Sequence, residues 1–153
     1  MLILAGVTNM LRESEMLGEN NEWLPIENVP GIVPDEWCWA LFSFSTLNFN
    51  EKVYVFGGAC DIWVLPNCYV YDGDWSEIQV LLGARGSHRS ISKDGVIYHI
   101  GGDDNHGSSH GIETWRLRDG PILEFTRTRL TTVLDGYYRY PESFFVSDYL
   151  QCT

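Results

Sequence analysis

The feature that most constrains the fold is a short apolar stretch that ends in two adjacent glycines and recurs along the chain. "KVYVFGG" at residues 52–58 matches "GVIYHIGG" at residues 95–102, and in both stretches β-branched and aromatic residues lead into the pair. The first residues, "MLILAG", have the same form with Ala5 and Gly6, so successive pairs are offset by 52 and then 44 residues. A repeat of this length indicates a fold built from successive copies of one supersecondary unit.

The segments around each pair predict a unit of four short strands, named A to D here. Strand B ends in the glycine pair, and it is preceded by strand A and a tight turn such as "SKDG" at residues 92–95. After the pair come a loop, strand C, and a turn into strand D; Trp23 and Trp75 each lie 17 residues after Gly6 and Gly58 respectively. Four antiparallel strands repeated at this period are typical of a β-propeller blade, so the expected fold is all-β.

At these residues the sequence resembles the kelch-repeat family. The shared marks are the glycine pair, tyrosines in strand C, a tryptophan six positions after the first tyrosine, and an Arg and a His ahead of the next strand B: Tyr69, Tyr71, Trp75, Arg85 and His88. The resemblance implies a kelch-type β-propeller segment of roughly three four-stranded antiparallel blades. Residues 1–153 would form strands B to D of one blade at 1–27, full blades at 37–80 and 86–126, and the first strand of a further blade at 143–151. Kelch rings commonly close with six blades, so the ring is expected to be incomplete in this chain.

The resemblance also implies a function, a non-catalytic protein–protein interaction module. In such a propeller the B–C loops and the D–A connections share one face, and that face is expected to bind a protein or peptide. The candidate partner-binding residues are those of the D–A connection and those after the glycine pairs: Arg85, His88, Arg89, Asp61, Asp103, Asp104, Asn105 and His106. For Arg85 a structural role fits the sequence equally well. The alternative function is a fragment of a larger kelch-like protein or enzyme, with no activity of its own.

Two polar stretches were considered as chemical sites. "DDNHGSSH" at residues 103–110 gathers acids and imidazoles, but it lacks the ordered Asp-x-Asp-x-Asp-Gly spacing of a calcium loop. In "GSHRS" at residues 86–90, adjacent Ser and His side chains would lie on opposite faces of a strand, and no G-x-S-x-G elbow is present. We therefore expect no enzyme activity, no catalytic residue, no metal site and no cofactor.

The charge of the chain limits its partners. The net charge of −11 argues against a nucleic acid or an anionic membrane surface as the main partner, and no apolar run has the length of a membrane span. Arginines are concentrated in the second half of the chain, among them Arg85, Arg89, Arg116, Arg118, Arg127 and Arg129. They are interpreted as a solvated strand face of mixed charge, with a pocket for an acidic peptide as the alternative.

The ends of the chain and its cysteines bear on the compartment. The start has no basic segment before its short apolar run, and no Asn-x-Ser/Thr sequon occurs, so a cytoplasmic location is expected. The cysteines fit no zinc spacing: Cys38, Cys60, Cys68 and Cys152. They are expected to be buried thiols in a reducing compartment, or to include a Cys60–Cys68 disulfide in an oxidising one.

The number of blades predicts an assembly. Three blades would leave two terminal faces, near residues 1–26 and 125–151, with unpaired strands and exposed aromatic residues. Two chains arranged head to tail would supply about six blades. We therefore expect either a homodimer that completes the propeller or a chain that aggregates when expressed alone.

Overall fold

A computed structural model of the protein describes residues 3–4, 14–17, 20–30, 41–60, 62–106, 111–117, 125–129, 143–146 and 149–152. This part of the chain contains β-strands and no helix, which confirms the all-β prediction. The strands are β1 Ile3–Leu4, β2 Ser14–Leu17, β3 Trp23–Ile26, β4 Leu41–Phe42, β5 Ser45–Phe49, β6 Lys52–Phe56, β7 Ala59–Cys60, β8 Trp63–Val64, β9 Cys68–Tyr71, β10 Trp75–Glu77, β11 Arg89–Lys93, β12 Val96–Ile100, β13 Glu113–Leu117, β14 Phe125–Arg129, β15 Ser143–Val146 and β16 Tyr149–Cys152.

Two four-stranded antiparallel sheets occupy the middle of the chain. The first has the strand order β10-β9-β6-β5 and the second the order β11-β12-β13-β14. In each sheet, strands that follow one another along the chain are neighbours and pair antiparallel. The two sheets lie in the ranges 37–80 and 86–126, except that β14 continues to Arg129. We call them the first and second middle sheets.

Three smaller sheets accompany the middle ones. Strands β1, β2 and β3 form a three-stranded sheet near the start of the chain, and β15 and β16 form a hairpin near its end. The sequence predicts one strand over residues 143–151, whereas the structure has these two paired strands. A third small sheet, β4-β7-β8, was not predicted, because its strands have only two residues each.

Tight turns connect the first two strands of each middle sheet. Asn50 and Glu51 form the two-residue turn between β5 and β6, and Asp94 and Gly95 form the one between β11 and β12. All four residues have positive φ, from 48° at Asn50 to 73° at Gly95. Two consecutive residues of positive φ are typical of the hairpin turn whose twist matches that of the strands.

Both glycine pairs, which end the predicted B strands, have positive φ. Gly57 and Gly58, after β6, have φ of 56° and 107°, and Gly101 and Gly102, after β12, have φ of 66° and 91°. Space is also limiting, because a Cβ on Gly57 would lie 2.3 Å from the backbone oxygen of Arg85. Only glycine combines this backbone conformation with so close a contact.

The main core lies between the two middle sheets. It is rich in aromatic residues: Phe56 and Trp115 meet edge to face with centroids 5.6 Å apart, and Tyr54 and Phe125 do so at 6.1 Å. The buried members of this cluster are Phe49, Tyr54, Phe56, Cys68, Val70, Leu81, Ile97, Trp115 and Phe125. Such ring pairs contribute packing energy in addition to the buried area.

A second cluster covers the opposite face of the first middle sheet. Its buried members are Val29, Leu41, Val55 and Tyr69, with Trp75 packed beside them. Strand β6 is therefore covered on both faces, and each of its last four residues is buried. This explains why "KVYVF" shows no alternation of polar and apolar residues.

The first strands of successive sheets lie next to each other. Strand β11 contacts β5, the first strand of the preceding sheet, and β15, the first strand of the last hairpin. The Ser90 backbone N–H, in β11, donates a hydrogen bond to Ser45 Oγ, in β5, at 2.7 Å. No sheet in the described part of the chain closes on itself.

Candidate functional site

The ends of the two glycine-terminated strands meet at one end of the middle sheets. Residues 85–87 pass between them: the N–H of Gly58 donates to the oxygen of Arg85 at 2.8 Å, and Gly86 and Asp103 bond reciprocally at 2.9 and 3.0 Å. The structure thus brings the connection at 85–90 together with the hairpin at 59–64 and the loop at 103–106. These are the segments that the sequence places on one face.

Arg85 is the most buried member of the predicted set. Its Nη1 donates hydrogen bonds to the carbonyl oxygens of Gly101 at 2.7 Å and Gly111 at 2.8 Å. The guanidinium has no exposed surface, and burial lowers its pKa to about 10. By holding both ends of the loop at 102–110, Arg85 has the structural role that the sequence left open.

Glu113 is the acidic partner of Arg85, and the sequence analysis did not find it. Its Oε2 lies 3.7 Å from Arg85 Nη2, and both side chains are fully buried. Its Oε1 accepts hydrogen bonds from the Leu82 N–H at 3.0 Å and from Trp115 Nε1 at 2.6 Å. The alternation of strand "ETWRL" was an available signal, because it places Glu113 on the same face as the core residue Trp115.

Two histidines lie beside this pair. His88, a predicted site residue, is buried, and its ring centroid is 6.0 Å from that of His99. His99 is fully buried, and its Nδ1 shares a 2.8 Å hydrogen bond with Ser90 Oγ. Burial, reinforced by His88 and Arg85, lowers the pKa of His99 well below its usual value. The Ser90–His99 pair is therefore a neutral, buried contact.

The remaining predicted residues lie nearer the surface. Arg89, Asn105 and His106 are exposed, whereas Asp103 and Asp104 are half-buried. Asp61 lies outside the described residues.

The Asn105 side chain connects the loop at 103–106 to the hairpin at 59–64 by hydrogen bonds. Its Oδ1 accepts a hydrogen bond from the Val64 N–H at 2.5 Å, and its Nδ2 donates to the Val64 oxygen at 3.1 Å. The side chain thus pairs with the edge of β8 as a further strand would. In the same loop, Asp104 Oδ1 accepts a hydrogen bond from the His106 N–H at 2.8 Å. This bond joins residues two positions apart and so stabilises a local turn.

Ile62 and Trp63 form an exposed apolar tip on the hairpin between β7 and β8. Their exposed fractions are 80% and 60%, the largest among the big hydrophobic residues described. The sequence predicts a B–C loop for this segment, and neither residue was among the candidate site residues. The apolar run that begins directly after Asp61 was the available signal.

Of the two cysteines whose side chains the structure describes, Cys68 is a buried thiol as expected and Cys60 is not. Cys60 is disulfide-bonded, and its partner lies outside the described side chains. Cys68 is a buried free thiol whose pKa burial raises to about 12, so the Cys60–Cys68 alternative is wrong.

Two further classes of site have no counterpart among the described residues. No group of three or more His, Cys, Asp or Glu side chains there is arranged to hold a metal ion, and His110 lies outside that part of the chain. Nor does any helix in it have the length and hydropathy needed to cross a membrane.

Comparison with known proteins gives a likeness of fold. No protein-family model matches the sequence, and no curated protein matches it. A solved structure, entitled "Structure of YjhT", is similar to it with a TM-score of 0.57 and 16% sequence identity. The likeness covers 74% of this chain and 34% of that chain. At this identity it shows a shared fold and nothing about activity.

Proposed function

We propose that the chain is a segment of a kelch-type β-propeller and that it acts as a non-catalytic protein-interaction module. Each middle sheet would be one blade, with the three-stranded sheet and the last hairpin as parts of two others. This is supported by the adjacency of β5, β11 and β15, since the first strands of successive blades line the axis of a propeller. It is also supported by the first middle sheet, which is covered on both faces as an internal blade is.

One observation carries the functional proposal: an apolar tip lies beside exposed polar groups at the end where the glycine-terminated strands finish. We call it the loop-end surface and define it by Ile62, Trp63, Arg89, Asn105 and His106. Trp and Arg are enriched among the residues that dominate binding energy in interfaces, and an exposed apolar pair bordered by polar groups is typical of them.

The loop-end surface is also held in place before any partner binds. Strand β7 pairs with β4 on one side and with β8 on the other, and Cys60 of β7 is disulfide-bonded. The Asn105 side chain also forms hydrogen bonds with the backbone of Val64, the residue after Trp63. A preorganised surface loses less conformational entropy on binding, so small contact areas suffice for measurable affinity.

The proposed surface differs from the set expected from the sequence. Arg85 and His88 are left out because they are buried within the protein. The half-buried Asp103 and Asp104 border the surface, and Asp61 is not assigned a role. Among the described residues of the loop-end surface, Arg89 is the only exposed Arg or Lys that an acidic peptide could pair with, so a partner that accepts the Ile62–Trp63 tip is the better fit.

A peptide selection tests this proposal. Peptides selected from a display library on the purified protein should bind with at least about tenfold lower affinity to Trp63→Ser, as loss of a hot-spot anchor predicts. Trp23→Ser, which removes an exposed tryptophan from another sheet, is the matched control and should leave the affinity unchanged. Equal binding of every selected peptide to wild type and Trp63→Ser would contradict the proposal.

A second candidate function is that of a fragment of a larger kelch-like protein or enzyme, without activity of its own. The observation that favours it is the likeness that covers only 34% of the solved chain. Genomic sequence on both sides of the reading frame tests it: further in-frame units with a glycine-terminated strand would favour a fragment.

A further inference from the structure

Two apolar side chains are exposed where the chain passes from the first middle sheet to the second. The connection after β10 runs through residues 78–82, and Leu81 of this segment is part of the main core. Val80 and Leu82, on either side of Leu81, have exposed fractions of 40% and 44%. Neither belongs to the loop-end surface. They therefore form a separate exposed apolar pair whose members are two residues apart.

Hydrogen bonds place this segment along β14, the last strand of the second middle sheet. Arg127 Nη1 donates to the Val80 oxygen. The Leu82 N–H donates to the Glu113 carboxylate, at 3.0 Å from Oε1 and 3.2 Å from Oε2, and Glu113 is the register partner of Arg129. Val80 thus lies beside Arg127, and Leu82 lies at the level of Arg129. The apolar pair and the arginine pair therefore run side by side in the same direction.

The two arginines carry charge that the described part of the chain does not neutralise. They share one face of the strand, because residues two apart in a strand point to the same side. Arg127 is half-buried and Arg129 is exposed. Neither belongs to an ion pair among the described residues. Glu113, opposite Arg129, is fully buried and has Arg85 as its ion-pair partner. Two cationic groups are therefore left to bind an acidic ligand beside the apolar pair.

We propose that this surface binds an extended peptide in which acidic and apolar residues alternate. We call it the seam surface and define it by Val80, Leu82, Arg127 and Arg129. Residues two apart in an extended chain are about 7 Å apart, so the apolar pair and the arginine pair have a common spacing. Alternate side chains of an extended peptide point to opposite sides. One set contacts Val80 and Leu82, and the other set pairs with the arginines.

Charge complementarity favours this partner over other anionic ones. A guanidinium binds a carboxylate through two parallel hydrogen bonds, and a basic peptide would be repelled by both arginines. The net charge of the protein is −11, but at physiological salt a charge acts over about 8 Å. A short acidic peptide therefore responds to the arginines beside it. A nucleic acid or an anionic membrane extends beyond them and meets the acidic remainder of the surface.

Fluorescence anisotropy with labelled synthetic peptides tests the proposal. An octapeptide of alternating Glu and Val should bind the wild type, and added salt should weaken the binding. An octapeptide of the same composition, with all Glu residues before all Val residues, should bind at least about tenfold more weakly, because it cannot match both pairs. Arg129→Gln and Leu82→Ser should each raise the dissociation constant at least about threefold, and the combined variant at least about tenfold.

Arg89→Gln is the matched control, because it removes the same charge from the loop-end surface and should leave the dissociation constant unchanged. Equal weakening by Arg89→Gln and Arg129→Gln, or equal binding of the two octapeptides, would show a response to charge alone and overturn the proposal. So would binding to phosphatidylserine vesicles without binding of the alternating octapeptide. Circular dichroism of Leu82→Ser and Arg129→Gln separates lost binding from unfolding. Trp63→Ser should bind the alternating octapeptide as the wild type does, so the two proposals fail independently.

Discussion

At the scale of single residues, buried polar groups join the segments that the apolar core leaves separate. Arg85 connects two carbonyl oxygens on either side of one loop, and Glu113 connects the Leu82 backbone to Trp115. An isolated charge in such a place would be costly, but here each ion has a partner of opposite sign and hydrogen bonds. The sequence shows that an Arg precedes the strand. It does not show that this Arg pairs with a carboxylate that lies 28 residues later in the chain.

Removal of Arg85 should therefore be strongly destabilising. Arg85→Met leaves Glu113 as an uncompensated buried charge, and we expect a loss of about 3–5 kcal/mol in the free energy of unfolding. The midpoint of urea denaturation measures it. Arg89→Met is the matched control, because Arg89 is exposed, and its effect should stay within about 0.5 kcal/mol. Similar midpoints for the two variants would contradict the structural role of Arg85.

His99 should make stability depend on pH. Its pKa in the folded protein lies below the usual 6.5, so the unfolded chain takes up the proton first. This contribution to stability is therefore fully present above pH 6.5 and is lost as the pH falls towards the folded pKa, by at most about 1.4 kcal/mol per pH unit.

Urea midpoints measured between neutral and mildly acidic pH check the direction. His99→Asn, which retains a polar partner for Ser90, should flatten the profile. His106→Ala should not change it, because His106 is exposed. A wild-type protein that becomes more stable on acidification in this range would show that the sign is wrong.

At the scale of strands and sheets, the prediction from sequence was good where the constraint is local. The strands that end in the glycine pairs and the tight turn at Asp94–Gly95 depend on residues adjacent in the chain, and both were predicted. The sheet β4-β7-β8 and the hairpin β15-β16 were not, because two- and four-residue strands lack a periodic pattern. The exposure of Trp63 depends on the packing of distant segments, which single-sequence patterns do not contain.

Substitutions at two glycines distinguish the energetic cost of an unfavourable backbone conformation from the cost of a close atomic contact. Gly57 and Gly73 both have positive φ, but only at Gly57 would a Cβ meet other atoms, the Arg85 oxygen at 2.3 Å among them. Gly73→Ala should cost about 1–2 kcal/mol from conformation alone, and Gly57→Ala at least about 2 kcal/mol more. Equal thermal unfolding midpoints for the two variants would exclude the close contact.

At the scale of the whole molecule, the two middle sheets share one core and should unfold together. Trp115 of the second sheet contacts Phe56 of the first, so Trp115→Ala opens a cavity that both sheets border. We expect a loss of about 3–5 kcal/mol. Hydrogen exchange should show the loss equally at amides of β6 and β13. Protection lost in β13 alone would indicate two independent units.

The double burial of strand β6 has a consequence for how the protein is made. On a ribosome, "KVYVF" emerges well before residues 89–129, which cover one of its faces. During that interval it is an uncharged β-prone segment after Lys52, and such segments associate between nascent chains. Synthesis at lowered temperature, or with a holdase chaperone present, should therefore raise the yield of the full-length protein, while a product that stops at residue 88 should be recovered as inclusion bodies.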